Sequence, residues 1–328
     1  MIEHRCLIVI CLILFNVLNL SAQKLIPFKL PDSGQYRSFT NTEGEDSDYF
    51  INTPSLKDNG DGTVTDYNTG LMWQKSDCGE MTFENAITYC NNLIFADYSD
   101  WRLPNGLELF SINQYDYVNP ALNPKYFSKS SAEYWWTSDI SVDNPNKIWV
   151  VNSGGGIGNH LKTETKSAGG NKAFHVRAVR SIFSRVFNTE HFTDLGNETI
   201  KDNYTGLIWQ KNPSVDSLTW EDALKNAASL NLNNKNDWRV PNIKEIQSLC
   251  DPKLIRPAIN RTYFNNIKGN FWSSTTMTNN SEVAWDLNTD FGIVSYNEKT
   301  KKNFVIYVRG GNDNTDVNFK EVKILGGE

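Results

Sequence analysis

The sequence is poor in histidine, methionine and cysteine, and it has no excess of basic residues. Its 328 residues include four histidines, four methionines and five cysteines. The 32 Lys and Arg residues stand against 38 Asp and Glu residues, which gives a net charge of −6. A chain without a basic field does not attract nucleic acid or an anionic bilayer. We therefore predict no nucleic-acid partner.

Long hydrophobic runs are also missing after the first twenty residues. Residues 6–20 form an apolar run that follows Arg5 and precedes the small residues Ser21 and Ala22. About fifteen apolar residues are fewer than the roughly twenty that cross a bilayer, and this order is typical of a secretory signal peptide. We predict cleavage near Gln23. The mature protein is then exported to the periplasm, the cell surface or the medium, and has no transmembrane segment.

Most of the mature chain consists of two copies of one domain. The sequence TGLMWQK at 69–75 returns as TGLIWQK at 205–211. In the same way, DWRLPN at 100–105 returns as DWRVPN at 237–242. A constant offset of 136 or 137 residues predicts two ordinary domains rather than a short-period solenoid. We predict a signal peptide at 1–23, an N-terminal leader segment at 24–57, copy 1 at 58–182, copy 2 at 183–311 and a C-terminal tail at 312–328.

Each copy is predicted to contain a β-hairpin, two helices and further strands. Apolar residues alternate about the turn signal at 67–70, which indicates the hairpin. Thr82 and Thr219 precede apolar residues at helical spacing, so we expect them to be N-caps. Asn105 and Asn242 each stand three residues before a glutamate, as in a capping box. Trp-rich and β-branched runs follow. The predicted fold class is α+β, with two tandem copies that each have two helices and an antiparallel β-sheet.

These motifs together resemble a known family. DNGDGTVTD at 58–66, TGLMWQ, WRLPN, WWTS and a closing Val179-Arg180, in that order, resemble the Lcl C-terminal domain family of exported bacterial proteins. They are more distantly similar to C-type-lectin-like folds and to the formylglycine-generating-enzyme domain, which implies two C-type-lectin-like copies. The family is named after a collagen-like bacterial adhesin. For that adhesin, membership implies that the domain binds sulfated polysaccharide. The acidity of this chain opposes such a ligand unless Lys299, Lys301 and Lys302 form a basic patch.

The sequence predicts neither an enzyme nor a metal or cofactor site. Formylglycine-generating relatives use reactive cysteines late in the domain, but there is none between Trp136 and Arg180 or between Trp272 and Arg309. His160 and His175 occur in copy 1 without counterparts in copy 2. The acidic loop with Asp58, Asp61 and Asp66 has oxygen ligands that suit calcium, but its spacing differs from that of an EF-hand. Asn-Gly and Asp-Gly pairs are typical of tight turns, and we predict a turn.

Three cysteines remain in the mature chain. Cys78 and Cys90 are twelve residues apart, in a protein predicted to enter an oxidising compartment. A loop that doubles back along the helix after Thr82 brings them together, so we predict a disulfide that contributes about 2.5–3 kcal/mol. Copy 2 has Ala227 in place of Cys90, so the fold does not require this bond. Cys250 is predicted to be a buried free thiol.

The function indicated by the sequence is ligand binding. Tryptophans and arginines that recur in both copies are predicted to form the core, whereas copy-specific rings, amides and carboxylates suit sugar recognition. We expect any ligand site to lie in the second-half segments 134–162 and 271–296, whose loops can vary without disturbing the core. The main hypothesis is an adhesin-like module for a surface polysaccharide or protein. Alternatives are an envelope component that only mediates assembly and a degenerate formylglycine-generating enzyme. The candidate ligand-binding residues are Tyr134, Trp135, Asn144, Asn146, Asn152 and His160 in copy 1, and Asn279, Asp286, Asn288 and Asp290 in copy 2.

Overall fold

The computed structural model describes residues 29–164, 174–182 and 190–310. The predicted signal peptide and the predicted tail lie outside these ranges. The described part of copy 1 comprises β1 (Leu56–Asp58), β2 (Thr63–Asp66), β3 (Leu71–Gln74), α1 (Phe83–Asn92), α2 (Gly106–Ser111), β4 (Tyr134–Ile140), β5 (Lys147–Asn152), β6 (Ile157–Leu161), β7 (Phe174–His175) and β8 (Val179–Ser181). Copy 2 comprises β9 (Phe192–Asp194), β10 (Thr199–Asp202), β11 (Ile208–Gln210), α3 (Trp220–Ser229), α4 (Ile243–Gln247), β12 (Asn270–Met277), β13 (Asn280–Asn288), β14 (Ile293–Glu298) and β15 (Val308–Arg309).

Two sheets form in each copy, and nearly all of their strand pairs are antiparallel. The first sheets have the orders β1-β2-β3-β8 and β9-β10-β11-β15, so the last strand of each copy returns to pair with its hairpin. The second sheets have the orders β6-β5-β4-β7 and β12-β13-β14, and only the short pair β4–β7 is parallel among these described strands. The mixture of four described helices with antiparallel sheets agrees with the predicted α+β class.

The helices begin at the predicted caps. The side chains of Thr82 and Thr219 accept hydrogen bonds from the third residue after each of them. Both α2 and α4 begin with a complete capping box, in which Asn105 pairs with Glu108 and Asn242 pairs with Glu245. Each cap satisfies backbone N–H groups that a helix start leaves without partners. The structure therefore confirms these four predicted helix starts.

The repeated Asp-Trp-Arg motif holds each copy together. In copy 1, Trp101 Nε1 donates to the Phe95 carbonyl at 3.0 Å. Arg102 binds both oxygens of Glu108 at 2.7 Å. The preceding Asp100 accepts from Arg180 at 2.6 Å, which ties the motif to the closing strand β8. The same bonds recur in copy 2 between Trp238 and Leu232, Arg239 and Glu245, and Asp237 and Arg309.

The two copies share one hydrophobic core. A single cluster of buried side chains includes Trp73 and Trp135 of copy 1 together with Trp209 and Trp285 of copy 2. At the junction α2 contacts α4 and β6 contacts β14, so each element meets its own counterpart. Contacts of this kind are expected from copies related by an approximate two-fold axis. Trp73 and Trp209 occupy matching buried positions, as the repeat predicts.

The leader segment is buried between the copies. Gln35 Nε2 donates to the Thr276 carbonyl at 2.7 Å, and Gln35 Oε1 accepts from the Thr276 backbone N–H at 2.9 Å. Lys244 on α4 donates to the carbonyls of Asp32 and Ser111, both at 2.8 Å. It therefore connects copy 2 to the leader and to copy 1. A short 3₁₀ turn at Asp46–Asp48 also packs against β12.

Among the described residues, no helix has both the length and the apolar character that crossing a membrane requires.

Candidate functional site

Trp135, a predicted ligand contact, lies in the core. Its side chain is only 2% exposed, and Nε1 donates to Asp77 Oδ2 at 3.0 Å. Asp77 Oδ1 lies 2.9 Å from His175 Nδ1. Burial alone would raise the pKa of Asp77, but hydrogen bonds from His175, Ser130 and Trp135 hold it well below its usual range. The Trp135 ring is therefore enclosed in the core and is not presented to solvent, as the predicted ligand contact requires.

Tyr134 and His160, two other predicted contacts, lie together. Their ring centroids are 4.6 Å apart, and the Tyr134 ring is 5.1 Å from that of Phe174. Both side chains are partly exposed. His160 Nδ1 contacts the Glu164 carboxylate. The structure thus joins these two predicted residues in a small aromatic cluster on the second sheet of copy 1.

The predicted asparagines of copy 1 shape turns. Asn144 Oδ1 accepts from the Asn146 backbone N–H at 3.0 Å, just before β5 begins. Asn152 Oδ1 accepts from the Gly156 N–H at 3.0 Å, at the other end of the same strand. These residues therefore lie at opposite ends of β5 and do not form one site.

Two of the predicted residues in copy 2 belong to a polar network. Asp286 is fully buried and accepts from Asn270 at 3.1 Å and from Asn303 at 2.8 Å. Asn288 donates to Asn270 at 3.0 Å. Burial raises the pKa of Asp286. The other two predicted residues, Asn279 and Asp290, are exposed in the turns before and after β13 and stay apart from this network.

The lysines near the end of β14 do not form a uniform basic patch. Lys299 Nζ lies 3.9 Å from the centre of the Trp220 ring, and burial lowers its pKa to about 8. Lys301 is exposed and pairs with Glu298 at 3.7 Å. In copy 1, Lys162 stacks on Phe83 in the same way. Because this contact recurs in both copies, we interpret it as structural.

A cleft of about 210 Å³ opens at the junction between the copies. Asp139 Oδ2 accepts from the backbone N–H of Gly106 at 2.7 Å, and burial raises the pKa of this carboxyl. Among the described residues that line the cleft, none is basic. The lining residues are Asn105, Gly106, Leu107, Asp139, Trp149 and Ile157 from copy 1, and Gln247, Cys250, Asp251, Pro252, Ala258, Phe291 and Gly292 from copy 2.

Sequence reasoning missed this cleft, and none of the ten predicted ligand-binding residues lines it. Two pairs of corresponding residues in the repeat indicate the cleft in the sequence. Gln247 corresponds to Phe110, so a polar side chain replaces an apolar one at a buried helix position. Gly106 corresponds to Ile243, so one copy lacks a side chain that the other buries. The cleft also draws on α2 and α4, whereas the sequence analysis places a ligand site in second-half loops.

Comparison with known families explains the repeated motifs. The model of the Lcl C-terminal domain matches residues 62–180 and again residues 198–309. The chain belongs to the Lcl C-terminal domain family. This finding confirms the predicted family and its two tandem copies. No curated protein matches the chain.

The acidic loop of the first Lcl C-terminal domain is a turn whose carboxylates have protein partners. Asp58 pairs with Lys75, and the Asp61 carboxylate accepts from the Thr63 N–H at 2.9 Å. Asp66 accepts from the Thr69 hydroxyl at 2.7 Å. Among the residues that the structure describes, no group of three or more His, Cys, Asp or Glu side chains is placed to hold a metal ion.

The cysteines of these Lcl C-terminal domains are free thiols. The predicted disulfide between Cys78 and Cys90 is not formed. The reason is their different surroundings: Cys78 Sγ lies 3.3 Å from Gln74 Oε1 and contacts the Tyr89 hydroxyl, whereas Cys90 is in the core beneath α1. Burial raises the pKa of Cys90 to about 12. Cys250 is free, as predicted, but it is only partly buried.

Acidic groups of the leader are buried where the two Lcl C-terminal domains meet. Burial raises the pKa of Asp32 to about 6 and raises that of Asp46 well above its usual range. The nearby Glu245 carboxylate adds to both effects. Lys244 opposes the shift at Asp32, and burial lowers the pKa of its own amine to about 8. Arg239 also faces this group and is paired with Glu245.

We expect the free energy of unfolding to decrease as the pH rises from about 4 to about 7. Folded Asp32 keeps its proton up to about pH 6, whereas an unfolded aspartate loses it near pH 4. Between these values the folded state binds more protons, so stability falls with rising pH, on the order of 2 kcal/mol from Asp32. Urea denaturation across this range measures the change. Asp32→Asn is the control and should reduce the dependence but not abolish it, because the pKa of Asp46 is raised as well; equal slopes in both proteins would contradict the assignment to Asp32.

Proposed function

We propose that this protein is an exported, non-catalytic binding module that recognises a surface carbohydrate. The observation that carries the proposal is the difference between the copies at their junction. The residues that the copies share include the caps and the ion pairs, whereas residues that differ, such as Gly106 and Gln247, line the cleft beside shared ones such as Trp149. Differences of this kind are expected where one copy has acquired a binding role, because the common fold does not need them.

The state of the thiols supports binding rather than catalysis. A nucleophilic cysteine must ionise near neutral pH, which requires a lowered pKa. Burial instead raises the pKa values of Cys90 and Cys250 to about 12. This is the opposite of what a formylglycine-generating mechanism needs.

A glycan array with residues 24–328 tests the proposed function. We expect a subset of glycans to retain the protein, and we expect the pattern to be the same with calcium and with a chelator. The chelator arm is the control for an ion-dependent lectin. An array without any retained glycan would contradict carbohydrate recognition and would favour the assembly-only alternative.

A further inference from the structure

We propose that the cleft between the copies binds one neutral sugar ring, held by the side chains of Trp149 and Gln247. This inference rests on the proposed function and gives it a site and a ligand class. It is carried by three independent observations: the counterpart of the cleft is filled, two lining side chains have buried polar atoms without partners, and the cleft has a restricted size and charge.

The approximate two-fold relation gives the cleft a counterpart on the other side of the junction. There, Trp285 corresponds to Trp149, and the ring of Tyr115 packs against it at a centroid distance of 5.5 Å. The residue that corresponds to Tyr115 is Pro252, which lines the cleft near Trp149 and is much smaller. On the cleft side this space is only partly filled, by Pro252 and by Phe291, which stands where copy 1 has Gly155.

The first residues of α2 and α4 also differ in size. Ile243 begins α4 and is fully buried, whereas Gly106 begins α2 and lines the cleft. A Cβ atom at Gly106 would approach Ile157 Cδ1 to 3.1 Å and Asp139 Oδ2 to 3.2 Å. The leader contacts both copies, but none of its described residues lines the cleft. Gly106 and Pro252 therefore leave space in the cleft that larger residues occupy in its counterpart.

Two lining side chains have buried polar atoms that need partners. Trp149 and Gln247 are each 7% exposed. Trp149 Nε1 and Gln247 Oε1 have no hydrogen-bond partner among the described residues. A buried polar group without a partner is destabilising, because its hydrogen bond to water is lost and not replaced. Both atoms are shielded from solvent, so a ligand reaches them only when the side chains that line the cleft shift. A sugar hydroxyl, which is both a donor and an acceptor, would then satisfy them.

Size and charge restrict the ligand further. The volume of about 210 Å³ lies below the roughly 300–1,000 Å³ of pockets for drug-sized ligands, so the cleft admits about one ring. The carboxyls of Asp139 and Asp251 line it without a basic side chain among the described lining residues. An anionic sugar would therefore meet like charge. The apolar face of Trp149 suits the C–H face of a sugar ring, and the carboxyls suit its hydroxyls.

The test is a titration of the ¹⁵N-labelled mature protein with neutral methyl glycosides, followed through the tryptophan indole N–H resonances. Trp149→Phe assigns the Trp149 resonance and removes the N–H donor while keeping an aromatic face. We expect the neutral glycosides to shift this resonance. We also expect Trp149→Phe and Gln247→Met each to weaken binding by about tenfold. Glucuronate and sulfated monosaccharides should bind more weakly than their neutral counterparts.

Trp285→Phe is the matched control, because it makes the same change at the corresponding position where Tyr115 fills the space. It should leave the affinity for glycosides unchanged. If the array retains glycans but the glycosides do not shift the Trp149 resonance, the cleft assignment is wrong and the proposed function stands. If both experiments are negative, both proposals are wrong. A preference for anionic sugars would overturn the ligand class.

Discussion

Replacing Trp135 with alanine is expected to lower the free energy of unfolding by about 3–5 kcal/mol. The indole lies in the core shared by both copies, and its removal would leave a large cavity. It would also remove the hydrogen bond that Trp135 donates to the Asp77 carboxylate. This carboxylate also contacts His175, Ser130 and Arg177. Urea denaturation with fluorescence detection measures the loss.

Trp135→Phe separates the two contributions. It keeps most of the ring volume and removes the N–H donor, so we expect a smaller loss of about 1–3 kcal/mol. The sequence interpretation leads to a different result, in which Trp135→Ala weakens ligand binding and leaves the melting temperature nearly unchanged. A Trp135→Ala protein with wild-type stability would contradict the buried position.

Arg239→Met is expected to lower the free energy of unfolding by about 3–5 kcal/mol, because it leaves the buried carboxylate of Glu245 without its partner. The side chains of Arg239 and Glu245 are each 5% exposed and form two hydrogen bonds of 2.6 Å. Methionine keeps the aliphatic volume but has no charge. Thermal and urea unfolding give the difference.

The repeat supplies a matched control for this substitution. Arg102 and Glu108 make the same bidentate pair in copy 1, but their side chains are 39% and 15% exposed. Solvent screens such a pair, so Arg102→Met should cost about 1 kcal/mol or less. Similar losses in the two variants would show that burial does not determine the contribution of this motif.

The sequence predicts features that depend on local spacing. The caps at Asn105 and Asn242 require only a polar side chain and a glutamate three residues later, and both capping boxes are present. The repeat offset likewise predicts that Trp73 and Trp209 occupy matching places. Local hydrogen bonds and repeat symmetry are contained in the order of residues, so they can be recognised without knowledge of the tertiary fold.

Features that depend on packing between distant segments were not predictable in this way. Trp135 and Trp136 alternate along β4, and a strand in a sheet with one open face would expose one of them. Here Trp136 packs beneath α1, whereas Trp135 faces the core shared with copy 2. The cleft has the same origin, because its walls come from both copies. Only the junction brings Trp149 and Gln247 to one place.

The buried leader has a consequence for the energetics of recognition. It contacts copy 1 through Tyr115 and copy 2 through Thr276. Lys244 of copy 2 donates hydrogen bonds both to the leader, at Asp32, and to copy 1, at Ser111. The relative position of the copies is then set before any ligand arrives. The loss of conformational entropy that fixes the cleft occurs during folding, so a ligand that fits need not order the protein again. Such preorganisation allows a small molecule with few contacts to be bound selectively.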